Sequence, residues 1–334
     1  MDVMSQVDAR EAMVLDLLLE ADGGVVSGQF LSEKLGLDPS EVYRRLNGLR
    51  CRGYGIQRLR GGYRLEQMPD AVGHLEVGAF LTAAEIGRVI HHREKVPSTN
   101  EIAFRLARGG AFHGELVVAE QQVRGRGRCG RNWFSPAGLN LYFSVILRPD
   151  LETARAPELT FVVAVALARA LGESLEGPVG IKWPNDVQIQ GKKVAGILPE
   201  LHAKGNLVDF VVAGVGVNVN MSESDLPVAL AGKATSLRIE KGRTFGRPRL
   251  LAGILDAFED TYNQWIDEGF GPIRDAWLSL DVTLGRKVRV GDEGGENLVG
   301  EAVSVDESGA LVIRCPDGGL VKVVSGDVAT FLGA

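Results

Sequence analysis

The stretch Gln122-Val-Arg-Gly-Arg-Gly-Arg-Cys-Gly-Arg131 alternates arginine with glycine and is bracketed by two apolar, strand-like runs, Leu116–Glu120 and Leu141–Leu147. Arg124, Arg126, Arg128 and Arg131 fall within eight residues and repel one another unless an anion or nearby carboxylates neutralise them. Glycines between them let backbone N–H groups approach that anion closely. A multiply charged, phosphate-bearing ligand fits such a loop. RGG-type RNA-binding tracts carry similar residues, but in disordered, low-complexity surroundings rather than between apolar strands. Gly125, Gly127 and Gly130 also spell G-x-G-x-x-G. No helix-like stretch opens at the third glycine and no acidic ribose partner follows, so a nicotinamide or flavin site is excluded. A G-x-x-x-x-G-K-[ST] phosphate loop is absent from the sequence.

Around this loop the signals alternate. Helix-like stretches are expected at Asn100–Arg108, Glu158–Leu175 and Leu250–Glu268. Strand-like runs are expected at Val179–Lys182, Val187–Ile189 and Phe210–Val219 as well as at the two flanking the loop. The segment 83–281 is therefore read as an α/β or α+β domain. After it, Val288–Val290, Leu298–Val305, Ala310–Arg314 and Gly319–Val324 form short β runs separated by Gly-Asp or Asp-Gly turns, the spacing of a small β-barrel over 282–334.

The first 66 residues read as a separate unit, followed by a linker with little structure of its own at 67–82. Ala12–Leu19 is helical and ends at Asp22-Gly23-Gly24; a second helix, Gln29–Leu35, stops at Gly36. Asp38-Pro39-Ser40-Glu41 supplies an N-cap, a proline at the first helical position and a reciprocal glutamate, and Val42, Leu46 and Leu49 give the third helix one apolar face. Gly55–Leu59 and Tyr63–Leu65 around Gly61-Gly62 read as a hairpin. This order is that of a winged helix-turn-helix. Seven arginines and no acidic residue lie between Arg44 and Arg64. In a chain of net charge −6 that segregation calls for an anionic partner at the third helix and wing. Arg44, Arg45, Arg58 and Arg60 are expected to hold DNA phosphates, and Ser40, Tyr43 and Asn47 to face base edges.

Of 334 residues, 45% are hydrophobic and 24% charged, which excludes wholesale disorder, and the net charge excludes a generally basic coat. The longest apolar run, Leu159–Leu171, is broken by Arg169 and is too short to span a bilayer. The acidic opening (Asp2, Asp8, Glu11) lacks the order of a signal peptide. Three separated cysteines suggest neither a disulfide framework nor a zinc site, and no metal site of the protein's own is assigned. A reducing cytoplasm and no membrane association follow as expectations.

Further stretches carry polar groups to strand ends. Lys182-Trp-Pro-Asn-Asp186 packs a cation, an amide and a carboxylate together. Gly191-Lys-Lys-Val-Ala-Gly-Ile-Leu198 is a turn feeding a buried strand with Lys193 at its mouth. Gly214-Val-Gly-Val-Asn218 suggests close approach of a ligand, and Pro97-Ser-Thr-Asn100 offers short donors ahead of a helix or an ordinary N-cap.

Taken in order, Ser98-Thr-Asn, Gln122…Arg131-x-Trp133-x-Ser-Pro, Lys182-Trp-Pro-Asn-Asp, Lys193-x-Ala-Gly-Ile-Leu and Gly214-x-Gly-x-Asn218 resemble the biotin–protein ligase family, specifically its bifunctional bacterial members that also repress the biotin operon. The resemblance covers essentially the whole chain. It implies a multidomain α+β protein: an N-terminal winged helix-turn-helix, a central mixed α/β ligase domain like that of class II synthetases, and a C-terminal SH3-like β-barrel. It implies activation of biotin by ATP and Mg²⁺ to biotinyl-5′-AMP, then transfer to a lysine of a biotin carboxyl carrier protein. Biotin operator DNA and a homodimer formed when biotinyl-AMP is bound complete the implied partners.

In that family Ser98, Thr99, Asn100 and Gln122 would line the biotin site; Arg126, Gly127 and Arg128 would close over the acyl phosphate, with Lys193 at the carboxyl and phosphate. Gly125, Arg131, Trp133, Asn185 and Asn218 would belong to the adenylate side. Arg128, Lys193 and Lys182 would offset charge while the carboxylate attacks the α-phosphate, and Asp186 would accept the acceptor lysine's proton or orient its amine. Val96 and Phe143 would supply a dry pocket for the biotin rings. Two departures stand out. Cys129 replaces an arginine found in some members, which loosens adenylate retention unless Arg124 offsets it. Pro199 follows Gly-Ile-Leu where a smaller β-branched residue is frequent, so irregular strand pairing is expected there. Two alternatives remain at this stage: a lipoate-type protein ligase, whose Arg-Arg…Gly-Gly-Gly-Ala run is missing, and a biotin-sensing DNA-binding repressor without ligase activity.

Overall fold

The structure is a computed structural model that describes residues 3–291, 298–324, 326 and 328–331. Helix α1 (Val3–Glu20) is longer than its apolar stretch and buries Val14, Leu15 and Leu18. In α2 (Gly28–Leu35) the Ser27 hydroxyl accepts the Phe30 N–H, and Gly36 closes the helix in the left-handed region at φ +62°. Helix α3 (Pro39–Cys51) starts on Asp38, whose carboxylate accepts the Ser40 and Glu41 N–H groups at 2.9 and 3.0 Å. Glu41 does not complete the reciprocal cap; its carboxylate turns to Arg44 and Arg45 instead. Strands β1 (Gly55–Leu59) and β2 (Gly62–Gln67) form the expected antiparallel hairpin. Leu31, Leu46, Leu49, Tyr54 and Ile56 close a small core with α1.

The segment 67–82 carries structure after all. Helix α4 (His74–Gly78) puts Leu75 into the N-terminal core and Val77 into the central one, and Tyr54 donates to Glu76 Oε1 at 2.8 Å. A five-residue helix set between Gly73 and Ala79 has no periodicity long enough to announce itself. Its two-sided burial is a tertiary effect.

The central domain is built on a seven-stranded sheet. Its strands are β3 (Ile90–Val96), β4 (Leu116–Gln122), β5 (Leu141–Leu147), β6 (Gly180–Lys182), β7 (Asp186–Ile189), β8 (Lys192–Lys204) and β9 (Leu207–Val217). They run in the order β3-β4-β5-β9-β8-β7-β6, with β3 parallel to β4 and the remaining pairs antiparallel. Helix α5 (Thr99–Arg108) packs Ala103 and Ala107 on one face, over Val117, Ile146, Phe210 and Val212. The other face is covered by α6 (Glu158–Leu175) and α8 (Arg247–Glu268), which with α9 (Phe270–Leu280) bury the main core; α7 (Leu237–Lys241) is a short connector before α8.

Because side chains alternate along a strand, β5 divides its residues between the two faces. Phe143 and Val145 enter the main core, whereas Ser144 and Ile146 face α5. Pro199 pairs regularly with Ala213; β8 shifts register at His202–Ala203 instead. Proline is tolerated there because β7 pairs only as far as Gly196, leaving that side of β8 without a partner strand at residue 199.

Strands β10 (Lys287–Val290), β11 (Leu298–Val305), β12 (Leu311–Arg314), β13 (Leu320–Val323) and β14 (Val328–Phe331) form a five-stranded antiparallel sheet in the order β13-β12-β11-β10-β14. Buried Trp183 ties it to the central domain: its backbone N–H donates to Thr283 Oγ1 at 2.8 Å, and its Nε1–H to the Gly309 carbonyl at 3.0 Å. No helix among the described residues is long and apolar enough to cross a membrane.

Candidate active site

The polar sequence motifs converge on the α5 face of the central sheet. Ser98 precedes the first turn of α5 and its side chain makes no capping hydrogen bond. The Thr99 N–H and hydroxyl reach Gln122 Oε1 at 2.8 and 3.1 Å, and Gln122 Nε2 donates to Ser135 Oγ at 3.1 Å. Asn100, 3% exposed, lies at the floor. Its amide donates to the Leu198 carbonyl at 3.0 Å and to Glu200 Oε2 at 2.8 Å, so its Oδ1 faces the Ser144 hydroxyl at 2.7 Å. Ser144 also sits 2.8 Å from Thr99 Oγ1. A Cβ at Gly214 would overlap Asn100, which explains the glycine.

The arginine-rich loop folds back on itself. Trp133 N–H donates to the Gly125 carbonyl at 2.8 Å and Gly127 N–H to the Arg131 carbonyl at 2.7 Å. Gly125 is buried, and a Cβ there would meet Trp133 O, Ser135 Oγ and Gln122 Nε2. Tyr142, its phenol pushed up by burial, donates to the Pro136 carbonyl at 3.0 Å and pins the outgoing end. Cys129 takes the left-handed region at φ +53° and is exposed. Three arginines are tied to three different elements: Arg124 to Glu101 of α5 at 3.7 Å, Arg126 to Glu200 of β8 at 2.6 Å, and Arg128 to Asn185 Oδ1 at 3.3 Å.

Trp133 lies over the glycine pair Gly196 and Gly216 of β8 and β9, where a side chain would collide with the indole. Its Nε1–H is buried and has no hydrogen-bond partner. Lys193 Nζ stands 5.3 Å from the Trp133 ring centroid and 2.5 Å from Asp186 Oδ1. Lys182 pairs with Asp186 in the β6–β7 register, beside this ion pair. Asn185 Nδ2 donates to the Ile197 carbonyl at 2.7 Å, locking the Lys182–Asp186 turn onto β8.

One sequence expectation, that for Phe143, is redirected, and Asn218 makes a structural contact of its own. Asn218, 5% exposed, gives its amide to the Thr235 carbonyl at 2.9 Å and so holds the 233–237 segment beside Lys193. Phe143 points into the α6-facing core, on the opposite face from Ser144, and does not line this pocket; Val96 is buried at the end of β3. Ser144 and Glu200 are absent from the sequence reading, and Ser135 stands there only as part of the Trp133-x-Ser-Pro motif. A lone serine within the apolar run Leu141–Leu147 was the available signal for the first; nothing local marks Glu200.

On the N-terminal unit, Tyr43, Arg44, Arg58 and Arg60 are exposed, as is Ser40, whose hydroxyl binds Asp38. Arg45 differs: its side chain is 12% exposed and closes on Glu41 through Nε at 2.8 Å and through Nη2. Burial of the apolar α3 face draws this pair inward, so Arg45 does not present its guanidinium as Arg44 does. Asn47 accepts from Arg50 at 2.9 Å.

Residues 94–218 match the Biotin/lipoate A/B protein ligase family, and 283–329 match the Biotin protein ligase C terminal domain. The chain is 34% identical over 316 residues to the bifunctional ligase/repressor BirA of Bacillus subtilis, covering 94% of this chain and 97% of that protein. It is 38% identical over 228 residues to the biotin–[acetyl-CoA-carboxylase] ligase of Paracoccus denitrificans, covering 67% of this chain and 93% of that one. The biotin protein ligase of Aquifex aeolicus, solved in complex with biotin and ATP, superposes with a TM-score of 0.64 at 31% identity, covering 74% of this chain and all of that one.

Proposed function

The chain belongs to the biotin protein ligase family, and from that premise we propose that it is an ATP-dependent biotin–protein ligase which also represses transcription. One observation carries the ligase reading. A glycine-opened sheet face, with a polar floor at Thr99, Asn100, Gln122 and Ser144, lies beneath an arginine loop and beside Lys193. The floor offers donors and acceptors for a ureido group, and the cations suit a carboxylate meeting a phosphate.

In the first step a carboxylate oxygen of biotin attacks the α-phosphorus of ATP, the bond to the β-phosphate oxygen breaks, and pyrophosphate leaves. Arg128, Lys182 and Lys193 offset the repulsion between the two anions and stabilise charge on the phosphoryl oxygens. Asp186 holds Lys193 over Trp133. The unpartnered Nε1–H of Trp133 is a donor that the nucleotide can satisfy. In the second step the neutral amine of a carrier lysine attacks the acyl carbon and AMP departs. Asp186, at the rim, orients that amine or takes its proton. The loop keeps the mixed anhydride dry meanwhile.

Mg²⁺ enters with ATP as part of the substrate. No cluster of three metal-ligating side chains occurs among the described residues. Mg²⁺ bound to phosphates and water needs only one or two carboxylates, and Asp186 is at hand.

The N-terminal unit is read as a winged helix with α3 as the recognition helix and β1–β2 as the wing, the C-terminal sheet as an SH3-like module. Biotinyl-AMP under the loop would favour a homodimer that places two winged helices on a two-fold biotin operator in the cytoplasm. The ligase reading is tested by biotin-dependent pyrophosphate–ATP exchange and labelling of a biotin carboxyl carrier protein. Exchange with lipoate but not biotin would favour a lipoate-type ligase, and silence with both a sensing repressor.

A further inference from the structure

Glu200 makes two contacts with a single oxygen. Its Oε2 accepts from Asn100 Nδ2 at 2.8 Å and from Arg126 Nη2 at 2.6 Å. Glu200 lies on β8 opposite Val212, two positions beyond the Leu198–Gly214 pair, so it emerges on the α5 face beside the pocket floor. Through Asn100 it fixes the amide: both N–H groups are spoken for, one by the Leu198 carbonyl, and Oδ1 is left for Ser144. Through Arg126 it holds the arginine loop to the sheet. The two contacts lie in different surroundings, since Asn100 is 3% exposed while the Arg126 side chain is 47% exposed. The inner contact is therefore shielded from solvent, and the outer one is weak and screened by salt.

We propose that Glu200 is a positioning residue for the ligase reaction, a latch whose carboxylate orients the pocket floor through Asn100 and closes the loop through Arg126. The inference rests on the ligase reading above. A latch of this strength opens to admit biotin and ATP and shuts often enough to slow escape of the adenylate. It gives the loop a closing force that resides outside the loop and is shared with Asn100 at the pocket floor. Glu200 touches neither substrate in this role; it acts through its two partners.

The experiment follows release of biotinyl-AMP, formed in place from biotin and MgATP, from the full chain and from Glu200→Gln and Arg126→Gln variants. The glutamine amide still accepts from Asn100 and loses the charge toward Arg126. Release from Glu200→Gln is expected to be roughly threefold to fivefold faster at low salt. Raising the salt should accelerate release from the unmodified chain and leave the variant nearly unchanged. KM for biotin should rise while kcat for exchange stays close to the unmodified value, and Glu200→Asp should restore part of the salt dependence. Combining Glu200→Gln with Arg126→Gln should release the adenylate no faster than Arg126→Gln alone, because the latch is already lost in that variant. Equal release and equal salt dependence in Glu200→Gln and the unmodified chain would overturn the latch. If Glu200→Gln fails to fold, Arg126→Gln, which leaves the Asn100 contact in place, must show the same lost salt dependence or the latch is refuted. Absence of biotin-dependent exchange in the unmodified chain would instead sink the ligase reading.

Discussion

Trp133 packs its indole against Gly216, at a point where any Cβ would overlap Cε2 and Nε1 of the ring. The other three tryptophans, Trp183, Trp265 and Trp277, are buried in the core. Ligand binding should therefore be visible through Trp133 alone. Addition of biotin and MgATP is expected to change the intrinsic fluorescence of the chain, and Trp133→Phe should abolish that change. Gly216→Ala should displace the indole, costing about 1–3 kcal/mol of stability or a comparable loss in nucleotide affinity. A ligand-induced signal that persists in Trp133→Phe would place the nucleotide elsewhere.

Arg128 is tied only loosely to Asn185, at 3.3 Å, and is the arginine best placed to move onto a phosphate. Arg128→Gly should slow adenylation about 10²-fold, the usual effect of deleting one electrostatic donor. The adenylate that does form should escape faster and label bystander lysines. Retention equal to that of the unmodified chain, measured as decay of bound biotinyl-AMP, would count against the loop as a lid.

Buried Arg247 joins the connecting segment to the sheet, reaching Asp70 Oδ2 at 2.9 Å and Glu120 Oε2 at 2.7 Å. Arg247→Met leaves Glu120 without this partner and should cost about 3 kcal/mol in denaturant unfolding. Glu120 lies two residues before Gln122, so the same variant should also weaken biotin binding. A cost within about 0.5 kcal/mol would show the network to be marginal.

His92 Nε2 stands 3.4 Å from Glu120 Oε1, and this hydrogen bond, against the opposing effect of burial, holds the imidazole above the usual histidine range. Burial pushes Glu120 up, but the His92 and Arg247 hydrogen bonds and charges outweigh it and hold it below the usual glutamate range. The signs follow. The His92 contribution is complete below its unfolded value and disappears as pH rises through its raised folded value. The Glu120 contribution is complete above its unfolded value and disappears as pH falls through its lowered one. In denaturant titrations His92→Gln should flatten the loss of stability above about pH 7 and shrink the acid limb to the part that Arg247 supports at Glu120. An unchanged alkaline limb would assign the effect to another group.

Arg58 and Arg60 sit exposed on the hairpin, whereas Arg45 is closed on Glu41. Neutralising Arg58 or Arg60 should weaken operator binding uniformly across sequences and reduce the salt slope by about 1 each. Arg45→Ala should instead appear mainly as lost stability, about 2 kcal/mol, because Glu41 loses a buried partner. Deleting residues 1–66 should abolish the operator gel shift and leave exchange largely intact; a shift surviving the deletion would contradict the winged-helix reading.

Local chemistry was legible wherever it is written in neighbouring residues. Asp38-Pro39 opens α3, Gly36 closes α2, and the hairpin turns at Arg60-Gly61 between the Leu59–Gly62 pair, one residue before the Gly61-Gly62 turn expected. Strand β3 escaped notice because Ile90–Val96 is an edge strand with exposed polar residues and so shows no apolar alternation. The length of β8 was hidden for the same reason, since its second half, from Pro199 onward, is only partly buried. Helix α9 follows α8 directly after Gly269 at φ +82°, and the sequence reading stops at Glu268 because Gly269 and Gly271-Pro272 interrupt the helical pattern there.

By itself the sequence determined the chemical inventory: an arginine–glycine loop between strands, a lysine at a strand mouth, hydroxyls and amides ahead of a helix, and arginines gathered on a short N-terminal unit. Tertiary structure alone decided which of these meet. Asn100 and Glu200 share a hydrogen bond across 100 positions of chain. Ser144 faces the pocket while its neighbour Phe143 faces the core. Both facts depend on strand register, where a slip of one residue exchanges the two faces of the sheet. Register is set by the burial of whole strands against α6, so no local pattern around Glu200 or Ser144 could have specified it.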